Sequence, residues 1–213
     1  MRKQHILFDL DGTIVDSSQG IFSSINYALR KLEREELPLD ILKTFVGPPL
    51  KDSFIRIGLD ERTADLAVNY YRELYKKEAV YQVKTYEGIE ETLAELAKTK
   101  KIFLATSKPE FFAKIILEHL AFTSYFTGIY GADLEGTRTA KADVIHYALT
   151  TENITERETV VMIGDRKHDI LGAADNGLES IGVLYGFGSK EELTHAGATH
   201  LVSTAKELIT LID

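Results

Sequence analysis

Cysteine is absent from the 213-residue sequence. That removes disulfide staples, thiolate zinc sites and a cysteine nucleophile, and it fits a reducing compartment. Positive charge is scarce: 25 Lys and Arg stand against 33 Asp and Glu, for a net charge of −8. An acidic surface repels phosphate backbones, which argues against a nucleic-acid polymer as partner. No stretch comes near the ~20 apolar residues that span a bilayer. The first apolar run, Ile6–Leu10, is too short for a secretion signal and is broken by Asp9. No internal repeat, low-complexity tract or long charge run appears. These absences predict a soluble, cytoplasmic protein with no membrane partner. What is present is ordinary for a globular chain, with 44% hydrophobic and 27% charged residues. At ~150 residues per domain, the length leaves room for one core and a second small lobe.

Two textures alternate along the chain. Short apolar runs at Ile6–Phe8, Ile102–Ala105, Val160–Ile163, Ile181–Leu184 and Leu201–Val202 have strand length but no period-2 alternation. That is the pattern of parallel strands covered by helices on both faces. Between them, Ile89, Leu93 and Leu96, then Ile115, Ile116 and Leu120, then Val144, Ala148 and Leu149 recur at helical spacing. Ser189-Lys190-Glu191-Glu192 reads as a capping-box start of a later helix. The alternation predicts an α/β fold with a doubly wound, mainly parallel Rossmann-like sheet. Residues 17–83 break it. Ile21, Ile25, Leu29 and Leu32 form a helical stripe, Val46-Gly47-Pro48-Pro49-Leu50 punctuates, and two further helix-like segments end in the tyrosine-rich Asn69–Lys77. The expected organisation is an α/β core over 1–16 and 84–213 with a helical insert over 17–83.

Polar residues gather where the apolar strands stop. Asp9-Leu10-Asp11-Gly12-Thr13 follows the first, Thr106-Ser107-Lys108 the second, and Gly164-Asp165, with Asp169 four residues on, the third. Carboxyl ends of neighbouring parallel strands face one crevice, where ligands bind. Four carboxylates converging there repel one another unless a cation neutralises them. With oxygen donors and no thiolate, the fitting ion is hard, and Mg²⁺ is the best candidate. The Thr106 hydroxyl and an ammonium, with Lys141 a candidate, would supply the donors an oxyanion or phosphoryl group needs. A lone Asp after a strand is usually a helix cap or turn residue; three such sites in register argue against that reading here.

Asp9-Leu10-Asp11-Gly12-Thr13-Ile14-Val15-Asp16-Ser17, Thr106, Lys141 and Gly164-Asp165-x-x-x-Asp169 resemble, in order, the four motifs of the haloacid dehalogenase superfamily in its phosphatase form. The resemblance extends over essentially the whole chain. It implies a Rossmann-like core with a helical cap inserted after the first motif. The wording Thr106-Ser107-Lys108-Pro109 and Gly131-Ala132-Asp133-Leu134-Glu135-Gly136 is similar to the phosphoglycolate phosphatase branch. The resemblance implies that Asp9 is the nucleophile, forming an aspartyl phosphate, and Asp11 the general acid and base. It further implies that Thr106, Ser107 and Lys141 bind the phosphoryl oxygens. Mg²⁺ would be held by the Asp9 carboxylate, the Asp11 main-chain carbonyl and Asp165, with Asp169 ordering its waters or ligating directly. The presence of Asp11 favours phosphate chemistry over dehalogenation.

Candidate readers of the leaving group are Lys108, the stiff turn at Pro48, and Arg56. His168 is expected to pack its loop rather than bind metal, and Tyr70, Tyr71 and Tyr75 to pack a helix, with a nucleobase shelf as the sharper alternative. The expected substrate is a small phosphorylated metabolite, phosphoglycolate first and a nucleoside 5′-monophosphate as the alternative. A β-phosphoglucomutase-like phosphotransferase and a non-catalytic phospho-receiver protein are weaker rivals. A monomer or a homodimer is expected.

Overall fold

A computed structural model of the chain describes residues 3–134 and 137–212. Glu135 and Gly136, part of the phosphoglycolate phosphatase-like wording, lie outside them. The described chain divides into two compact units, Met1–Asp16 with Thr85–Asp213, and Ser17–Lys84.

The first unit holds β1 (His5–Phe8) and β2 (Val15–Asp16). In the second follow α1 (Ser18–Lys31), α2 (Leu39–Lys43), α3 (Leu50–Arg56) and α4 (Glu61–Lys77). The chain then runs through β3 (Lys84–Thr85), α5 (Ile89–Leu96), β4 (Lys101–Pro109), α6 (Glu110–His119), β5 (Gly128–Ala132) and α7 (Lys141–Thr151). It closes with β6 (Val160–Gly164), α8 (Lys167–Asp175), β7 (Glu179–Val183), α9 (Lys190–His195), β8 (His200–Val202) and α10 (Glu207–Ile212).

Six strands form one sheet in the order β5-β4-β1-β6-β7-β8, and every pairing in it is parallel. The two-residue strands β2 and β3 form a separate sheet. Side chains alternate across a strand. Leu7, Phe103, Ala105, Val160 and Met162 meet Val144, Ile145, Ala148 and Leu149 of α7 in one core. The alternate residues Ile6, Phe8, Ile102, Leu104, Val161 and Ile163 are equally buried. Both faces are therefore covered, which is why these strands read as continuous apolar runs. The sheet contains one strand the sequence pattern did not announce. Edge strand β5 reads Gly-Ile-Tyr-Gly-Ala, with two glycines in place of an apolar run.

Within the helical unit, α1 packs chiefly on α4. Ile21, Ile25 and Leu29 form the buried face of α1, as the stripe predicts, and Ala64, Ala67, Tyr71 and Tyr75 that of α4. The Tyr71 and Tyr75 rings stack 5.1 Å apart inside this packing. Asp60 caps α4 by accepting from the Thr63 amide at 3.0 Å, and Ser189 caps α9 by accepting from the Glu192 amide at 3.1 Å. Among the described residues, no helix is long and apolar enough to cross a membrane.

Phe103 is central to the sheet–α7 core, with its ring 6.4 Å from that of Tyr130. Phe103→Ala should destabilise the protein by about 3–5 kcal/mol through lost burial and the cavity it leaves, read as a lower urea midpoint at unchanged m-value.

Candidate active site

The chain leaves β1 for β4 and β5 on one side, then crosses to β6 on the other side of β1. The strand order reverses between β1 and β6, and ligands of open α/β sheets bind at such a point. Asp9 is the first residue past β1 and Asp165 the first past β6. The Asp9 amide donates to the Ile163 carbonyl at 2.9 Å, tying the two strand ends together. Asp169 lies in the first turn of α8, where its Oδ2 accepts from the Arg166 amide at 3.0 Å. Lys141 opens α7.

These positions bring Asp9, Asp165 and Asp169 into one buried cluster, each offering an oxygen within 4.8 Å of the others. Lys141 Nζ sits among them, 2.7 Å from Asp9 Oδ1, 2.8 Å from Asp169 Oδ1 and 2.9 Å from the Ala105 carbonyl. Thr106, Ser107 and Lys108 also come to this crevice, though β4 does not stop before them; it continues to Pro109 through an irregularity in its pairing with β5. Thr106 is fully buried and its hydroxyl accepts from the Lys108 amide at 3.2 Å. Ser107 is half-buried beside it. Lys108 Nζ lies 2.9 Å from Asp11 Oδ2.

Two glycines make the cluster sterically possible. Gly12 has φ +89°, and a Cβ there would lie 2.2 Å from Asp165 Oδ2. A Cβ on Gly164 would lie 2.2 Å from Asp169 Cγ. Only a residue without a side chain lets both backbones come this near the carboxylates.

The remaining specificity candidates lie in the helical unit. Arg56 donates to the Thr44 carbonyl at 2.9 Å and the Thr44 hydroxyl at 3.0 Å, with its guanidinium over the Phe45 ring. Pro48 lies in the link between α2 and α3. His168 is half-buried in α8 and is not part of the acidic cluster.

Sequence reasoning missed a fourth strand end. The turn after β7 places the Phe187 amide 2.7 Å from Asp165 Oδ2 and the Tyr185 hydroxyl 3.1 Å from the Thr13 carbonyl. The Thr13 hydroxyl in turn donates to Asp165 Oδ1 at 3.4 Å. The available signal was Tyr185-Gly186-Phe187-Gly188, a glycine-punctuated segment directly after an apolar strand.

Burial sets the electrostatics. Asp165 is fully buried, and burial first, then the Asp169 and Asp9 carboxylates, raise its pKa well above the ordinary range. Burial also raises Asp169, to about 6, against the opposing pull of Lys141. Burial disfavours the Lys141 ammonium, but Asp169 and Asp9 outweigh it and raise its pKa. Four carboxylates (Asp9, Asp11, Asp165, Asp169) against two ammoniums (Lys108, Lys141) leave two negative charges when all are ionised. A buried, oxygen-only donor set with that surplus fits a hard divalent cation.

Residues 6–183 match the family model described as haloacid dehalogenase-like hydrolase. The chain is 45% identical to a 5′-nucleotidase from Pseudomonas aeruginosa, over 100% of this chain and 97% of that one. It is also 45% identical to a crystal structure described as a predicted phosphatase from Clostridium acetobutylicum, covering 100% and 99% of the two chains with a TM-score of 0.95. Identity to tyrosine-protein kinase PtkA of Mycobacterium tuberculosis is 35%, over 95% of this chain and 69% of that protein. A phosphoglycolate phosphatase from Colwellia psychrerythraea stands at 29%, over 97% and 96%.

The raised carboxyls carry a pH signature. A carboxyl whose folded pKa exceeds its unfolded value holds its proton more tightly when folded. Its contribution to stability is complete below the unfolded value and lost as pH rises through the folded one. For Asp169 that window runs from 3.8 to about 6. Without metal, this contribution declines across it. A divalent cation replaces the departing protons, so the rise in Tm on adding Mg²⁺ should be small near pH 5 and grow toward pH 7. A Tm increment independent of pH would contradict cation binding at these carboxylates.

Proposed function

Because the chain belongs to the haloacid dehalogenase-like hydrolase family, we propose that it is a Mg²⁺-dependent phosphomonoester hydrolase working through an aspartyl phosphate on Asp9. The observation that carries this reading is Lys141, buried between Asp9 and Asp169 at ion-pair distance from both. An ammonium held there restrains Asp9 and offsets the repulsion between its carboxylate and an incoming phosphoryl dianion.

The residues divide the work as follows. Asp9 attacks phosphorus in line while the bond to the ester oxygen breaks, and Asp11 gives that oxygen a proton. Water then attacks the phosphoryl group and loses a proton to Asp11, the bond from phosphorus to Asp9 breaks, and inorganic phosphate leaves. The Thr106 and Ser107 hydroxyls and Lys141 bind the phosphoryl oxygens. Mg²⁺ would be held by the Asp9 carboxylate, the Asp11 main-chain carbonyl and Asp165, with Asp169 beside them. When bound, it supplies positive charge against the phosphoryl oxygens.

For the substrate, a nucleoside 5′-monophosphate is the leading reading. It is supported by 45% identity across the whole chain to a protein named 5′-nucleotidase. Phosphoglycolate is the second reading, supported by the Thr106-Ser107-Lys108-Pro109 wording and by the relative at 29% identity. The pairing of Lys108 with Asp11 weakens it, because that ammonium was the foremost candidate to read the glycolate carboxylate.

Phosphate release with Mg²⁺ from a panel of nucleoside 5′-monophosphates, phosphoglycolate, hexose phosphates and phosphotyrosine tests both levels. A nucleoside monophosphate is expected to give the highest kcat/KM, and Asp9→Asn to lose roughly 10³-fold or more while remaining folded. Dominance of phosphoglycolate would reverse the substrate order, and an active Asp9→Asn would remove the nucleophile.

A further inference from the structure

Lys108 is the second buried ammonium of the site, and no step above uses it. Its side chain is 5% exposed and that of Asp11 12%. A lysine this enclosed needs a charged partner to offset its lost hydration, and Asp11 Oδ2 lies 2.9 Å from its Nζ.

The backbone is built to deliver it there. Along β4 and β5, Thr106 pairs with Gly131 and Pro109 with Ala132, so Ser107 and Lys108 are extra residues in the ladder. Such bulges re-aim side chains near the ends of strands. The Thr106 hydroxyl accepts the Lys108 amide within the bulge at 3.2 Å. The neighbouring strand makes room: a Cβ on Gly131 would lie 2.7 Å from the Lys108 carbonyl oxygen and 2.6 Å from the Glu110 amide nitrogen.

We propose that Lys108 is a positioning residue for Asp11, holding Oδ2 so that the other carboxyl oxygen faces the leaving group and then the hydrolytic water. This rests on the phosphatase reading above and goes beyond it by assigning how the acid–base carboxyl is oriented. Lys108 itself takes no proton and does not read the substrate. Asp11 protonates the ester oxygen as the bond from phosphorus to that oxygen breaks, and the orientation matters in proportion to how much the leaving oxygen needs that proton.

The test compares kcat/KM, which reports transfer to Asp9 alone, for adenosine 5′-monophosphate and p-nitrophenyl phosphate. The first leaves as an alkoxide that requires protonation, and the second as a stabilised phenolate. Lys108→Met should lose roughly 100-fold on the nucleotide and only a fewfold on the aryl ester. Retained activity on the aryl ester also shows that the variant is folded. Lys108→Arg should restore part of the loss, and on an Asp11→Asn background Lys108→Met should cost little more, because both act through one carboxyl. Equal losses on the two esters, additive losses in the double variant, or a raised KM at unchanged kcat would overturn the assignment. A wild-type protein that releases phosphate from no ester would instead overturn the phosphatase reading itself, and this inference with it.

Discussion

The site depends on one contact, the Lys141 ammonium enclosed by Asp9, Asp169 and the Ala105 carbonyl. Three buried carboxylates at the ends of two adjacent strands and the start of a helix would repel one another strongly in a low-dielectric setting. Lys141 offsets part of that charge and holds the two oxygens it touches. Removing one partner of such a pair leaves an uncompensated buried charge, at a cost of about 3–5 kcal/mol. The residual negative charge suits the cluster to a hard dication, as the proposed phosphatase reaction requires.

The sheet exists, functionally, to bring these groups to one place. β1 and β6 are neighbours on either side of the topological switch, so Asp9 and Asp165 emerge side by side. β4 supplies Thr106 and Lys108 from the other flank of β1, and the turn after β7 supplies the Phe187 amide and the Tyr185 hydroxyl. Asp165 is thus held by groups that follow β1 and β7, Asp11 by Lys108 of β4, and Asp9 and Asp169 by Lys141 at the start of α7. A rigid sheet can keep a charged cluster in place where loops alone would let it relax apart.

Much of this was readable in the sequence because buried parallel strands leave a strong signal. Continuous apolar runs located five of the six strands of the main sheet, and the polar residues after three of them named the carboxylates, Thr106 and Lys108. Edge strand β5 escaped because its Gly128 and Gly131 interrupt hydrophobicity, although Gly131 makes room for the bulge that aims Lys108. The Tyr185–Phe187 contacts escaped because a backbone amide has no sequence signature. The partner of Lys108 could not be foreseen either. A lysine beside a phosphate crevice suggests a substrate contact, and only the bulged geometry turns it toward Asp11. In the helical unit the stripe of α1 was plain, and Tyr71 and Tyr75 pack inward as their spacing suggested.

In the proposed reaction Asp9 carries the phosphoryl group during turnover. Its most direct test is acid quenching of the protein during turnover of its best phosphomonoester, followed by borohydride reduction and peptide mass spectrometry. A phosphorylated aspartate is reduced to homoserine, so homoserine is expected at position 9 and nowhere else. Homoserine at another position, or steady turnover in which no phosphorylated protein forms at any time, would contradict it.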